Sequence, residues 1–406
     1  MKYLVQKFGG TSLTTPELRE QVAQKIINAK QEGYLPVVVV SAIGRQGDPY
    51  ATDTLLKFVE SINPEIPAKE IDNLMACGEI ISGVAMVATL KKHGHKSTFL
   101  TGGQAGIITD ERFSDAHIVE VNPKFIHQWA ADGHIVIVAG FQGQTKDGMV
   151  TTLGRGGSDT TAAALGVALN AEAIDIYTDV EGIMTADPRI VKNAKTLDVI
   201  TYNEICQLAH EGAKVIHPRA VEIAMQKNVP LRIKCTFSDA PGTLVTSVTD
   251  NGTVEIKKDR VVTAITHIPN VTQLKIYTSD YLEADYPQLK ILKSMALAGI
   301  SIDFINVLPD IVIYTVKDNV ATKAVKILEN MGFTPNVTPN CAKVSAVGAG
   351  MAGVPGVMAS ITEALVSENI QILQTADSHS TIWCLVKQDV MEKAIRALHN
   401  YFALGE

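Results

Sequence analysis

The sequence has no lysine- or arginine-rich run, and its formal net charge is −7. A general nucleic-acid role is thereby excluded, because phosphate backbones are bound by clustered positive charge. The five cysteines (Cys77, Cys206, Cys235, Cys341 and Cys384) are scattered and never form C-x-x-C. That argues against a zinc framework and for a chain kept reduced in the cytoplasm. No uninterrupted apolar stretch reaches membrane-spanning length, and the apolar run in MKYLVQKFGG is too short for a signal peptide. A cytoplasmic protein with no membrane partner is expected. The histidines lack metal-ligand spacing, and no G-x-x-x-x-G-K-S/T occurs, so a Walker-type nucleotide site is excluded.

What is present is 406 residues, 46% of them apolar. That suffices for two or three domains, each with its own core. Over the first 245 residues, β-branched runs at 3–8, 36–41, 96–100, 135–139, 173–178 and 230–236 read as buried strands. Helical periods lie at 16–32, 70–92, 159–169 and 202–227. Apolar strands alternating with helices imply an α/β fold with a mainly parallel sheet covered on both faces. Residues 246–260 are polar and read as a linker. Beyond them a βαββα pattern occurs twice, over 261–335 and 336–406, with "ALAGISIDFINV" aligning against "VSENIQILQTAD". A tandem α+β repeat is the simplest account.

Thr15 and Pro16 start the first helix, which places Gly9-Gly10-Thr11-Ser12 at the carboxyl end of the first strand. Ligands of open α/β sheets collect there. Gly9 and Gly10 would offer amides to a phosphate and Lys7 its charge, although a tight turn uses the same residues. The stretch 151–164, TTLGRGGSDTTAAA, sets three glycines and Arg155 before an alanine-rich helix. A helix N-terminus and a guanidinium fork both suit a carboxylate or phosphate. In the loop after 173–178, Thr178 and Asp179 suit base or ribose contacts and Arg189 a phosphate; an ordinary exposed loop is the other reading. Lys214 would reach a phosphate, and His217 before Pro218 reads as a structural hydrogen-bonder. Asp72 and Glu79 lie two helical turns apart on one face of a mostly apolar helix.

Together these segments resemble the aspartate kinases of the amino-acid kinase family. The matches run in order: KFGGTS at 7–12, SAIGRQGD with Thr52 after it, CGE at 77–79, AGFQG at 139–143, TTLGRGGSDTTA at 151–162, YTDVEGIMTADPR at 177–189 and GAKVIHPRA at 212–220. The resemblance covers essentially the whole chain. It implies a three-layer αβα amino-acid kinase fold followed by two ferredoxin-like ACT domains. Length and the GRQGDPYATD segment look closest to the short, single-function, diaminopimelate-regulated type of Bacillus-like bacteria.

The resemblance implies ATP-dependent phosphorylation of the L-aspartate side chain, the first step toward diaminopimelate, lysine, threonine and methionine. Lys7, with the Gly9 and Gly10 amides, would stabilise the transferring phosphoryl group, and Asp159 would orient Lys7. Arg155 would hold the aspartate α-carboxylate and Glu79 its ammonium group, with Ser41, Thr52 and Ser158 helping to place it. Thr178, Asp179, Arg189 and Lys214 would complete the ATP site. Mg2+ would be held through the nucleotide phosphates rather than by protein ligands. An amino-acid effector, diaminopimelate first, would bind the ACT repeats near Asn306, Met351, Val354, Asp377 and His379. A homodimer through ACT–ACT pairing, or a dimer of dimers, is implied. Two other readings stand beside this one: a different amino-acid kinase of the same fold, and a non-catalytic sensor built on the tandem repeat.

Overall fold

The run Val37–Val40 has no solvent-exposed surface, and neither has Ile135–Ala139. Two-sided burial of this kind makes both runs interior strands of a parallel sheet. In the computed structural model, which describes residues 2–213, 215–247, 261–281, 286–351 and 353–406, that sheet has eight strands. Their spatial order is Val199–Thr201, Thr243–Thr246, Leu231–Cys235, Ala173–Thr178, Tyr3–Phe8, Leu35–Val40, Ile135–Ala139, Ser97–Leu100. All neighbours are parallel except Leu231–Cys235 with Thr243–Thr246.

Phe8 shares one core with Val22 and Ile26 of the Pro16–Gln31 helix and with Met86 and Leu90 of the Ala68–Lys92 helix. Alternation along the strand turns Lys7 to the opposite face, where it meets the Gly157–Ala168 helix. The Ala68–Lys92 helix is, by length and composition, apolar enough to cross a membrane, contrary to expectation. It packs on the sheet and buries Asp72 and Glu79, which fits a core helix.

Two differences from the sequence reading concern local breaks. The helical period at 202–227 is two helices, Tyr202–His210 and Pro218–Met225. Gly212 at φ 110° breaks the first, and His217 and Pro218 start the second. A second sheet, with strands Ile118–Val121, Ile107–Thr109, Gln142–Gln144 and Val150–Thr152, was not foreseen. Its strands of three or four residues are too short for periodicity to register.

The described residues form two units. One comprises those of 2–183, 196–210 and 215–247; the other comprises those of 184–195, 211–213 and 261–406. Most of the expected linker, 248–260, lies outside the described residues. The second unit is built on one antiparallel six-stranded sheet, ordered Asp303–Val307, Ile311–Lys317, Ala264–Tyr277, Asn336–Val347, Thr381–Lys387, Gln374–Asp377. The two repeats meet at its central strands. The long Ala264–Tyr277 strand serves both: Ile265 joins the core of the second repeat, Leu274 and Ile276 that of the first. Residues 262–265 thus pack with the second repeat, although in sequence they precede the first.

Candidate active site

At the carboxyl ends of Tyr3–Phe8 and Leu35–Val40 two loops pass backbone to backbone. Gly44 N–H donates to Gly10 O (3.1 Å), and a Cβ on Gly10 would lie 2.2 Å from Ala42 O. Only glycine fits at that approach. Gly9 is extended, and a Cβ there would sit 3.7 Å from Lys7 Nζ. Lys7 Nζ pairs with Asp159 Oδ1 at 2.8 Å, both largely enclosed.

Asp159 lies in the first turn of Gly157–Ala168, beside the positive end of the helix dipole. Gly154 (φ 70°) and Gly156 (φ 71°) turn the chain into that helix through left-handed conformations. Between them Arg155 is exposed and has no ion-pair partner among the described residues. Ser41 Oγ donates to Ser158 Oγ (2.9 Å). Glu79 is 2% exposed; its Oε1 accepts from Ala42 N–H (3.0 Å), and its Oε2 has no partner among the described residues. Burial pushes this carboxyl up to about 8, with the Ala42 N–H bond opposing.

A cleft of about 720 Å³ gathers Lys7, Gly10, Ser41, Thr52, Glu79, Arg155, Ser158 and Asp159. Residues more than a hundred positions apart in sequence are thereby brought to one surface. Arg45, Asp53 and Ser114 also line it; no role was read for them from the sequence, although Arg45 lies within the GRQGD stretch. Thr178 ends the strand next to Tyr3–Phe8, and Asp179 just after it pairs through Oδ2 with Arg45 at 3.0 Å.

Arg189 is held by Asp187 (2.6 Å) and falls in the stretch grouped with the second unit. Lys214 lies outside the described residues. His217 accepts from Arg219 N–H through Nδ1 (3.3 Å), so it caps a helix. Burial lowers its pKa, with the Asp159 charge opposing. The structural reading of this histidine fits that geometry.

In the second unit, Asn306 Oδ1 accepts from Gln374 Nε2 (2.6 Å). Asp377 ends an edge strand, and His379 is exposed in the turn after it. Val354 is exposed, whereas Met351 is buried in the second repeat's core.

A parallel sheet bearing a lysine–aspartate pair, close-packed glycine loops and a helix N-terminus at its carboxyl ends is the framework of a small-molecule phosphotransferase. The amino acid kinase family model matches residues 2–235, and an ACT domain model matches residues 336–400. Aspartokinase 1 of Bacillus subtilis is 51% identical over 406 residues, covering all of both chains. The solved aspartate kinase of Clostridium acetobutylicum superposes with a TM-score of 0.80 at 25% identity, covering 99% of this chain and 100% of that one. E. coli aspartokinase III, solved with lysine and aspartate, gives 0.78 at 25% identity, with coverage of 99% and 100%.

The chain belongs to the aspartokinases of the amino acid kinase family. It phosphorylates the side-chain carboxylate of L-aspartate with ATP, and its ACT repeats carry feedback regulation. The non-catalytic reading is set aside.

Proposed function

We propose that the cleft divides into an aspartate side and a phosphoryl side, and that the Lys7–Asp159 pair stands between them. The carrying observation is that one cleft holds Arg155, a cation without an ion-pair partner among the described residues, and Glu79, a buried carboxyl group with one oxygen unpartnered among them. Arg155 takes the α-carboxylate of aspartate and Glu79 its ammonium group. Ser41, Thr52 and Ser158 place the substrate between them. The side-chain carboxylate then attacks the γ-phosphorus in line, so the protein supplies no nucleophile.

Lys7 neutralises charge building on the transferring group, and the Gly9 and Gly10 amides face the same oxygens. Asp159 holds the Lys7 ammonium in place. Thr178 and Asp179 contact base or ribose. Mg2+ fits a cleft whose Asp159 is already engaged by Lys7, because this ion rides on phosphates and water. There it supplies charge neutralisation.

The enzyme works in the cytoplasm, consistent with its five unpaired cysteines. It forms a homodimer through its ACT sheets, or a dimer of such dimers. Diaminopimelate is the effector, received near Asn306, Val354, Asp377 and His379, with Met351 backing the loop.

Arg155→Ala tests the division. Its aspartate KM rises by about tenfold or more while the ATP KM stays within about twofold. Equal changes in both constants would refute the carboxylate assignment.

A further inference from the structure

We infer that Asp72 is a positioning residue that suspends the Arg155 loop at the distance from Glu79 that aspartate requires. The inference rests on the assignment of Arg155 and Glu79 to the two ends of the substrate backbone.

Asp72 has no exposed surface, and among the described residues no lysine or arginine pairs with it. Its oxygens accept from four donors on two separate segments, the Ser114 loop and the end of the Val150–Thr152 strand. Oδ2 accepts from Ser114 N–H (2.9 Å) and Thr152 N–H (2.8 Å). Oδ1 accepts from Ser114 Oγ (3.1 Å) and Thr152 Oγ1 (2.8 Å). A buried carboxylate without a cation is costly, and holding a fold together does not by itself demand one.

The two anchored segments are those that shape the aspartate side of the cleft. Thr152 leads through Leu153 and Gly154 into Arg155. Ser114 lines the cleft and adopts φ 71°, a left-handed conformation that few residues other than glycine hold. Its loop presses on Gly154, where a Cβ would lie 2.6 Å from Asp115 Oδ1 and 3.3 Å from Ser114 O.

Asp72 and Glu79 stand on one helix, two turns apart, a rise of about 10 Å. That rigid element carries the proposed ammonium ligand directly and the proposed carboxylate ligand through two hydrogen bonds to Thr152, with two more to the Ser114 loop that lies against Gly154. Neither Ser114 nor Thr152 need touch the substrate.

The donor pattern gives a discriminating test. In Asp72→Asn the amide oxygen can take the Oδ2 place and accept both backbone N–H groups. The amide nitrogen then takes the Oδ1 place and donates to both hydroxyls, which turn round to accept. Asp72→Ala loses all four bonds.

Steady-state KM values for aspartate and ATP are measured for both variants and for Arg155→Ala, with far-UV circular dichroism confirming folding. In Asp72→Ala the aspartate KM rises about tenfold or more and the ATP KM moves by less than about twofold. Asp72→Asn recovers most of the loss. If Asp72→Ala does not fold, the double variant Ser114→Ala/Thr152→Val, which removes only the two hydroxyl donors, replaces it. It is expected to raise the aspartate KM alone.

A folded Asp72→Ala or double variant with native aspartate KM overturns the inference. Equal rises in both KM values, or an asparagine variant no better than alanine, do the same. If Arg155→Ala alone shifts the aspartate KM, the inference fails and the substrate assignment stands. If Arg155→Ala also leaves it unmoved, the assignment falls and the inference falls with it.

Discussion

Among single residues, Glu79 carries the sharpest consequence of the structure. Burial holds it near a pKa of about 8, so the empty enzyme keeps it mostly protonated at neutral pH. The proposed role, binding an ammonium group, needs the carboxylate. kcat/KM for aspartate is therefore expected to climb about tenfold per pH unit below that value and level off above it. Glu79→Gln should be feebly active and lose this limb. Stability moves the other way. The folded pKa lies above the unfolded value, so the contribution is full below pH 4.5 and drains as pH rises toward about 8. Urea titrations across that window should show the wild type losing stability relative to Glu79→Gln. A flat kcat/KM profile from about pH 6 to 8 would count against both the role and the shift.

At the scale of elements, the Gly157–Ala168 helix depends on its entry. Gly156 precedes it at φ 71°, and a Cβ there would stand 2.4 Å from His217 Cβ. Gly148 is also left-handed, φ 82°, but has open space around the missing side chain. Gly148→Ala should thus cost only the backbone strain, about 1 kcal/mol. Gly156→Ala should cost about 2–4 kcal/mol, since the half-buried His217 side chain must also give way. It should also raise the aspartate KM, because Arg155 moves with its neighbour. Urea midpoints of the two variants decide this, and equal losses would show that the His217 contact is soft.

These same elements show what a sequence can disclose. Strands buried on both faces, such as Leu35–Val40, stand out as apolar runs, and the glycine loops stand out by composition. The break between Tyr202–His210 and Pro218–Met225 does not, because apolar period continues across it and only Gly212 marks the stop. Lys7, Arg155 and Asp159, which the motifs single out, line one cleft. The unpartnered oxygen of Glu79 was not legible in the sequence, because its surroundings are made by Ala42, 37 positions away. The anchoring work of Asp72 was hidden for the same reason: its partners lie 42 and 80 positions downstream.

For the whole molecule, the chain passes repeatedly between its units. Residues 184–195 and 211–213 are grouped with the C-terminal unit, on either side of segments that belong to the catalytic one. They are bonded in firmly. Glu211 Oε2 pairs with buried Lys343 (3.0 Å) and accepts from Ser345 Oγ (2.8 Å), while Thr185 Oγ1 shares a hydrogen bond with His399 Nε2 (3.0 Å). Glu211 lies six residues before His217, whose ring packs at Gly156 beside the Arg155 loop. The chain thus joins the two units in sequence here, but continuity alone shifts nothing. The effector must bind one arrangement better than the other, and the coupling must then be reciprocal. If diaminopimelate weakens aspartate binding by some factor, within the usual range of about 5–150-fold, aspartate must weaken diaminopimelate binding by the same factor. Calorimetric titration of diaminopimelate with and without saturating aspartate, beside activity assays with diaminopimelate, lysine, threonine and methionine, measures both sides. Diaminopimelate is expected to inhibit and its affinity to fall when aspartate is present. Activity indifferent to diaminopimelate would remove it as the effector; inhibition without the reciprocal loss of affinity would place its action on turnover rather than on aspartate binding.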